Sequence, residues 1–322
     1  MTMVMKKQVI LLLHFCSYSV LPLVTSKPNN MIISKNKMRR WKAFGAVLMM
    51  LAMIQSLSAC SNRPVMESDR QHSSLFDSDE QTYQSKGNLS SMKIDIDRSF
   101  RGIDVEMQTY VVFEQSNELS VKVSIPNSMK NKVKVYYEEG CIKVKAKNNI
   151  SSSSKDGYIM INIKAPRLQS ADLSVASQLN IRGRLQQKEE LELDVSGASS
   201  VRCDELTGIN QLDIDLSGAS NININRVACG SISIDHSGAS SMTLQKIETN
   251  NVSVDLSGAS HLVLSGNMKA LKSEVSGCST LKLKGSAGKT YLGVSGASKI
   301  DCKEFECNIY KKSVSGNSKI IR

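Results

Sequence analysis

A Ser-Gly pair begins at Ser196, Ser217, Ser237, Ser257, Ser276, Ser295 and Ser315, at steps of 21, 20, 20, 19, 19 and 20 residues. A degenerate copy, "DLSVAS", places Ser174 22 residues before the first of these. A near-constant period of this length demands a stack of similar units, each contacting its neighbours, before any single residue is weighed as a site.

The pattern inside each copy decides which stack. With the first serine as position 0, positions −3 and −1 are mostly apolar, as in Leu193/Val195, Ile214/Leu216 and Val254/Leu256. Positions +5 and +7 are apolar as well, as in Val201/Cys203, Ile222/Ile224 and Leu262/Leu264, with polar residues between them. This is a period-two strand on each side of a Ser-Gly-Ala-Ser corner, with one buried face. One such unit cannot bury its apolar row alone, but copies stacked about 4.8 Å apart can. The fold class is therefore all-β, a parallel β-helix (β-solenoid) of ~20-residue rungs. Right-handed winding is expected, as for crossovers between parallel strands generally. Leucine-rich repeats share the period but need a Leu-x-x-Leu-x-Leu pattern that is missing here.

The corner follows from backbone chemistry. Glycine at +1 permits angles that a β-carbon forbids. Alanine at +2 (Ala198, Ala219, Ala239, Ala259, Ala297; Cys278 and Asn317 replace it) is expected to point into a crowded bend. Serines at 0 and +3 can bond backbone and one another up the stack. A catalytic serine would be singular and have a histidine and an acid arranged around it, so eight equivalents mark architecture.

Residues 1–60 form an address. They hold eight Lys/Arg and no Asp or Glu. A basic stretch (Lys35, Lys37, Arg39, Arg40, Lys42) precedes an apolar run from Ala43 to Ile54 and the ending Leu57-Ser58-Ala59-Cys60. That order is a secretory signal, and its end resembles the lipobox of bacterial lipoproteins, which makes Cys60 the lipid attachment residue. The apolar run "VILLLHFC" upstream points to translation starting at Met31 or Met38, or else to a tandem membrane anchor. Residues 61–91 are polar and aperiodic and are expected to be a flexible tether. No dense acidic run follows Cys60, so periplasmic and surface placement both stay open.

The net charge of +11 suggests a nucleic-acid partner until it is located. Beyond residue 60 there are 33 basic and 30 acidic side chains, about +3, which lacks the basic footprint that phosphate binding needs. Nucleic acid is not an expected partner.

Residues 92–170 alternate without the motif, in "MKIDID", "GIDVEM", "LSVKVSIP", "VKVYYEEGCIKVKAKN" and "YIMINIKAP". They are expected to be earlier, irregular rungs or a capping β-region, with continuation favoured. The regular repeats then occupy 171–322. "NNISSSSKD", residues 148–156, is expected to be a disordered loop. The order of "RGIDVEMQTYVVFEQSNELSVKVSIP", "YIMINIKAPRLQSADLSVAS" and the "LSGAS" repeats behind a membrane-tethered start resembles a family of Gram-negative envelope lipoproteins. It is the domain of unknown function called "putative auto-transporter adhesin, head GIN domain". The resemblance covers roughly residues 92–322. It implies an all-β, β-helical fold and an envelope location, and it brings no catalytic residues to carry over; with the lipobox, the expected location is an outer-membrane-anchored lipoprotein.

Candidate sites lie in the outer columns. Position −2 runs Asp172, Asp194, Asp215, Asp235, Asp255, Glu274, a stack of carboxylates one rung apart. Like charges directly opposite repel, so the column invites Ca²⁺, although the calcium-binding nonapeptide is missing and a solvated acidic stripe is the commoner outcome. Asn221, Asn223, Ser241 and Thr243 at +4 and +6 form a hydroxyl- and amide-rich face suited to a glycan or an envelope protein. The cysteines Cys203, Cys278 and Cys302 are expected to be buried small hydrophobes, with a Cys302–Cys307 bridge as the alternative; no spacing suggests zinc. Asp235-His236-Ser237 spells triad letters, but strand neighbours point to opposite faces. The reading is a non-catalytic envelope binding module or adhesin with no required cofactor. The alternatives are a polysaccharide-acting β-helix enzyme and a purely structural or regulatory envelope component. After the last corner, "SGNSKIIR" leaves a strand edge that calls for a cap or for self-association.

Overall fold

A computed structural model describes residues 89–147 and 157–322 of the chain. The signal segment, Cys60, tether residues 61–88 and the polar loop 148–156 lie outside the described residues.

Among the described residues every regular element is a strand. The regular part comprises β8 (Ser170–Leu173), β9 (Gln178–Gln186), β10 (Leu191–Val195), β11 (Ser200–Leu216), β12 (Asn221–Ile224) and β13 (Val227–His236). It continues through β14 (Ser241–Leu256), β15 (His261–Val275), β16 (Thr280–Val294), β17 (Lys299–Val314) and β18 (Lys319–Ile321). All pair in parallel, each residue against its equivalent one repeat later: Ile214 with Ile234, Ile234 with Val254, Ile222 with Met242. This is a β-solenoid. Each rung has a strand before the corner (face A, Leu212–Leu216), one after it (face B, Asn221–Ile224), and a third on face C, which begins at Val227 in this rung. Register shifts, such as those between Cys203 and Glu205 and between Leu244 and Ile247, bend the long strands from face B into face C.

The alternating apolar residues form one continuous core. Leu193, Ile214, Leu216, Ile222, Ile224, Leu256, Leu262, Leu264 and Leu292 are all at most 3% exposed. At about 25 cal/mol per Å² of apolar surface, this row holds the coil together, because no single rung could bury it alone.

The corner is tighter than its composition suggests. Gly197, Gly218, Gly238, Gly258, Gly277, Gly296 and Gly316 all have φ between 68° and 80°. A β-carbon on Gly218 would sit 2.5 Å from the Gly197 carbonyl oxygen. That closeness comes from a backbone bond: the Ala219 N–H donates to the Gly197 oxygen at 2.8 Å, and the Ala239 N–H does the same to Gly218. The +3 serines are the buried members, Ser199, Ser220, Ser240, Ser260, Ser279 and Ser298 all being under 4% exposed. Ser260 Oγ donates to the Ser257 carbonyl at 2.8 Å, while the Ser279 N–H donates to Ser298 Oγ at 3.2 Å. The alanines at +2 are exposed instead of filling a bend, and Cys278 is exposed with them. The turn directs +3 inward, which leaves +2 at the outer tip. Cys203 and Cys302 are buried as expected, and burial pushes their thiols up to about 12 and about 11. Cys302 and Cys307 are both free.

The amino-terminal region is part rung and part cap. β2 (Gly102–Val105) and β3 (Thr109–Gln115) form a rung that pairs in parallel with β8 and β9. β6 (Cys141–Ala146) and β7 (Ile159–Ala165) form another rung on the opposite edge of the β2–β3 rung. The β2–β3 rung therefore lies between two rungs, β6–β7 and β8–β9, that both come later in the chain than itself. β1 (Leu89–Ile94), β4 (Ser120–Pro126) and β5 (Val133–Glu138) pair antiparallel, β4 on β7, β1 on β4 and β5 on β6. They close this end over Phe100 and Phe113, whose rings stack 6.4 Å apart. β1 begins at Leu89, so the last residues of the expected tether, 89–91, belong to a strand.

Candidate functional site

Face B carries the first site. Ser200, Asn221, Ser241 and His261 stand in one register column, and Arg202, Asn223, Thr243 and Val263 in the next. Their apolar neighbours Val201, Ile222, Met242 and Leu262 are buried, which turns these polar side chains to the outer surface. Asn221, Asn223, Ser241 and Thr243 are all half-buried. Where the columns approach the amino-terminal rungs there is a shallow hollow, lined by Tyr110, Asn180, Asn221 and Asn223 among others. Tyr110 is only 5% exposed, and Asn180 Nδ2 donates to its hydroxyl at 3.5 Å. Asn223 Oδ1 is buried without a hydrogen-bond partner. The four expected ligand residues thus fall together; Tyr110 had escaped the sequence because its rung lacks the motif, and Asn180 because it follows only the degenerate copy at Ser174.

Face A carries the carboxylates. Asp172, Asp194, Asp215, Asp235, Asp255 and Glu274 are in strict register and exposed. Asp104 extends the column by one rung. Its carboxylate lies 3.4 Å from Lys145 Nζ, which also reaches Glu106 at 3.1 Å. Burial first, and then the neighbouring Asp255 charge, raise the pKa of Asp235. No group of three or more His, Cys, Asp or Glu with metal-holding geometry occurs among the described residues. A calcium site on Asp194, Asp215, Asp235, Asp255 and Glu274 is not assembled, because each rung supplies one carboxylate to a line, and a line does not surround an ion.

His236 is fully buried at position −1, in register between Leu216 and Leu256, while Asp235 points outward. Neither ring nitrogen has a hydrogen-bond partner of good geometry. Burial lowers its pKa to about 4; the Ser240 backbone opposes that shift and His261 adds to it. The triad letters are therefore split across two faces, and the imidazole is neutral at pH 7.

The family profile described as "putative auto-transporter adhesin, head GIN domain" matches residues 99–262 and 232–321. The chain belongs to this family. No curated protein matches it. Among solved structures, a putative adhesin from Parabacteroides distasonis superposes with a TM-score of 0.65 at 17% identity, covering 74% of this chain and 98% of that one. A putative adhesin from Bacteroides fragilis gives 0.57 at 14%, covering 74% and 95%. A structure described as a putative lipid binding protein, also from P. distasonis, gives 0.62 at 14%, covering 73% and 97%. At these identities the likeness is one of fold.

Proposed function

We propose that this head GIN domain protein is a non-catalytic cell-envelope lipoprotein, anchored through Cys60, that uses face B to hold a glycan or an envelope protein. The observation that carries the reading is the polar hollow on face B, where Asn180, Asn221 and Asn223 line one surface with Tyr110. Half-buried amides held on regular strands present donors and acceptors in fixed positions, which suits a hydroxyl- or amide-rich ligand. A rigid coil with near-constant rung length is well suited to display such a surface, since binding it orders no loop. The adhesin-type family favours the envelope location, on either face of the outer membrane.

A glycan-array and envelope-extract binding screen with the lipid-free chain tests this. Ligands found should be lost in Asn221→Ala/Asn223→Ala, and binding indifferent to both changes would remove face B. Turnover of any polysaccharide would overturn the non-enzyme reading. Lipid labelling should disappear in Cys60→Ala.

A further inference from the structure

A larger concavity lies away from face B. It is a groove of about 600 Å³ where face C bends into face A. One wall is the register column Gln211, Ser231, Asn251, Ala270 and Lys289. The other is Ser233, Ser253, Lys272 and Tyr291, again in register. Between them Ile232, Val252, Leu271 and Thr290 form the floor. Five rungs make the groove roughly 19 Å long, parallel to the coil axis. It is a continuous trough with an apolar floor and walls that carry hydroxyl, amide and lysine groups.

Charge gives the trough a direction. At the carboxy-terminal end Lys272 and Lys289 are exposed, and neither has an ion-pair partner among the described residues. Glu274, two residues along the strand from Lys272, accepts a hydrogen bond from the Tyr291 hydroxyl, which raises that phenol's pKa, and sets one negative charge against these cations. Lys311 sits over the Tyr291 ring, 5.8 Å from its centre, and adds a third cation nearby. Towards the other end, Asp235 and Asp255 are exposed two residues along the strands from Ser233 and Ser253. A ligand must therefore be elongated, rich in hydroxyls, and anionic only at the lysine end. A polyanion would lay charge against Asp235 and Asp255, and an acyl chain would leave Ser233, Ser253 and Asn251 facing it without hydrogen-bond partners.

We infer that this groove binds a linear glycan segment ending in one acidic sugar, whose carboxylate sits between Lys272 and Lys289. The middle sugars bond Asn251, Ser233 and Ser253, and their apolar faces rest on Ile232, Val252 and Leu271. This site is separate from face B and does not depend on it.

The test uses the lipid-free full chain and isothermal titration with a neutral β-linked oligosaccharide carrying a single terminal uronate. The controls are the same oligomer with its carboxyl reduced to the alcohol, a polyuronate, and anionic lipid vesicles. The single-uronate oligomer should bind best, and Lys272→Gln/Lys289→Gln should weaken it on the order of tenfold or more. Ser253→Trp, an exposed change that fills the trough without touching the core, should abolish binding. Asn221→Ala/Asn223→Ala should leave it unchanged. Equal binding of the reduced oligomer, tighter binding of the polyuronate or the vesicles, insensitivity to the groove variants, or no binding at all would each overturn the inference. Loss in the face B variant alone would overturn it while supporting the face B reading.

Discussion

At Gly218 two demands coincide, a left-handed backbone and a carbonyl where a side chain would begin; at Gly183 only the first holds. Gly183 has φ 69° with nothing within 4 Å of where a methyl group would stand, whereas at Gly218 the Gly197 oxygen is 2.5 Å away. Gly183→Ala should cost roughly 1 kcal/mol. Gly218→Ala should cost about 3 kcal/mol, because a rung must shift. Paired denaturant melts of the two variants measure the difference. Val175 stands at the glycine position of the degenerate copy with φ 68°, a β-branched residue under strain at the edge of the regular repeats. His236 gives a pH dependence. Its folded pKa of about 4 lies below the unfolded value of 6.5, so below pH 6.5 the unfolded chain takes up a proton that the folded chain refuses. Stability should fall by roughly 3 kcal/mol between pH 6.5 and 4 from this group. His236→Leu should remove that slope and raise stability at pH 7, with urea midpoints across the range as the readout.

Among the elements, the regular strands were legible because every rung repeats its own inside-outside alternation. β3 was not. Its first five residues, Thr109 to Phe113, are all buried, so it shows no period of two. The smallness of alanine at +2 was legible but its reason was not, since spacing alone does not say which corner residue turns inward. Face B was assembled by counting, whereas the groove beside face A needed the bend from face C, which is marked by register shifts that a sequence does not display. The carboxylate column was read correctly as a line, and its consequence is electrostatic. Asp235→Asn should raise the melting temperature slightly at low ionic strength, through relief of repulsion with Asp255, and the gain should shrink in about 1 M salt. A gain that persists in high salt would point to packing instead.

On the scale of the whole molecule, the two ends differ. The amino-terminal end is closed by antiparallel strands, while β18 and the last part of β17 pair on one side only among the described residues. The expected cap is not among the described segments. Lys311, Lys312, Lys319 and Arg322 crowd this edge, a common device against edge-to-edge pairing. Self-association through this rung, our proposal for the open edge, should therefore strengthen as salt screens the lysines. Light scattering that shows one mass at all salt and protein concentrations would remove it. The swapped order of the first rungs has a kinetic consequence. Every regular rung can condense on the one before it, but β8 has no template until β2 is in place, and the far edge of β2 is filled only by β6, 39 residues later. Pairing β2 with β8 joins Gly102 to Ser170 across 68 residues, whereas each later rung pairs with one about 20 residues away, so the joining of this end is the slow, non-local closure beside rapid local zippering. Losing a late repeat would shorten the coil, whereas losing an early strand would uncover the end that the antiparallel strands close.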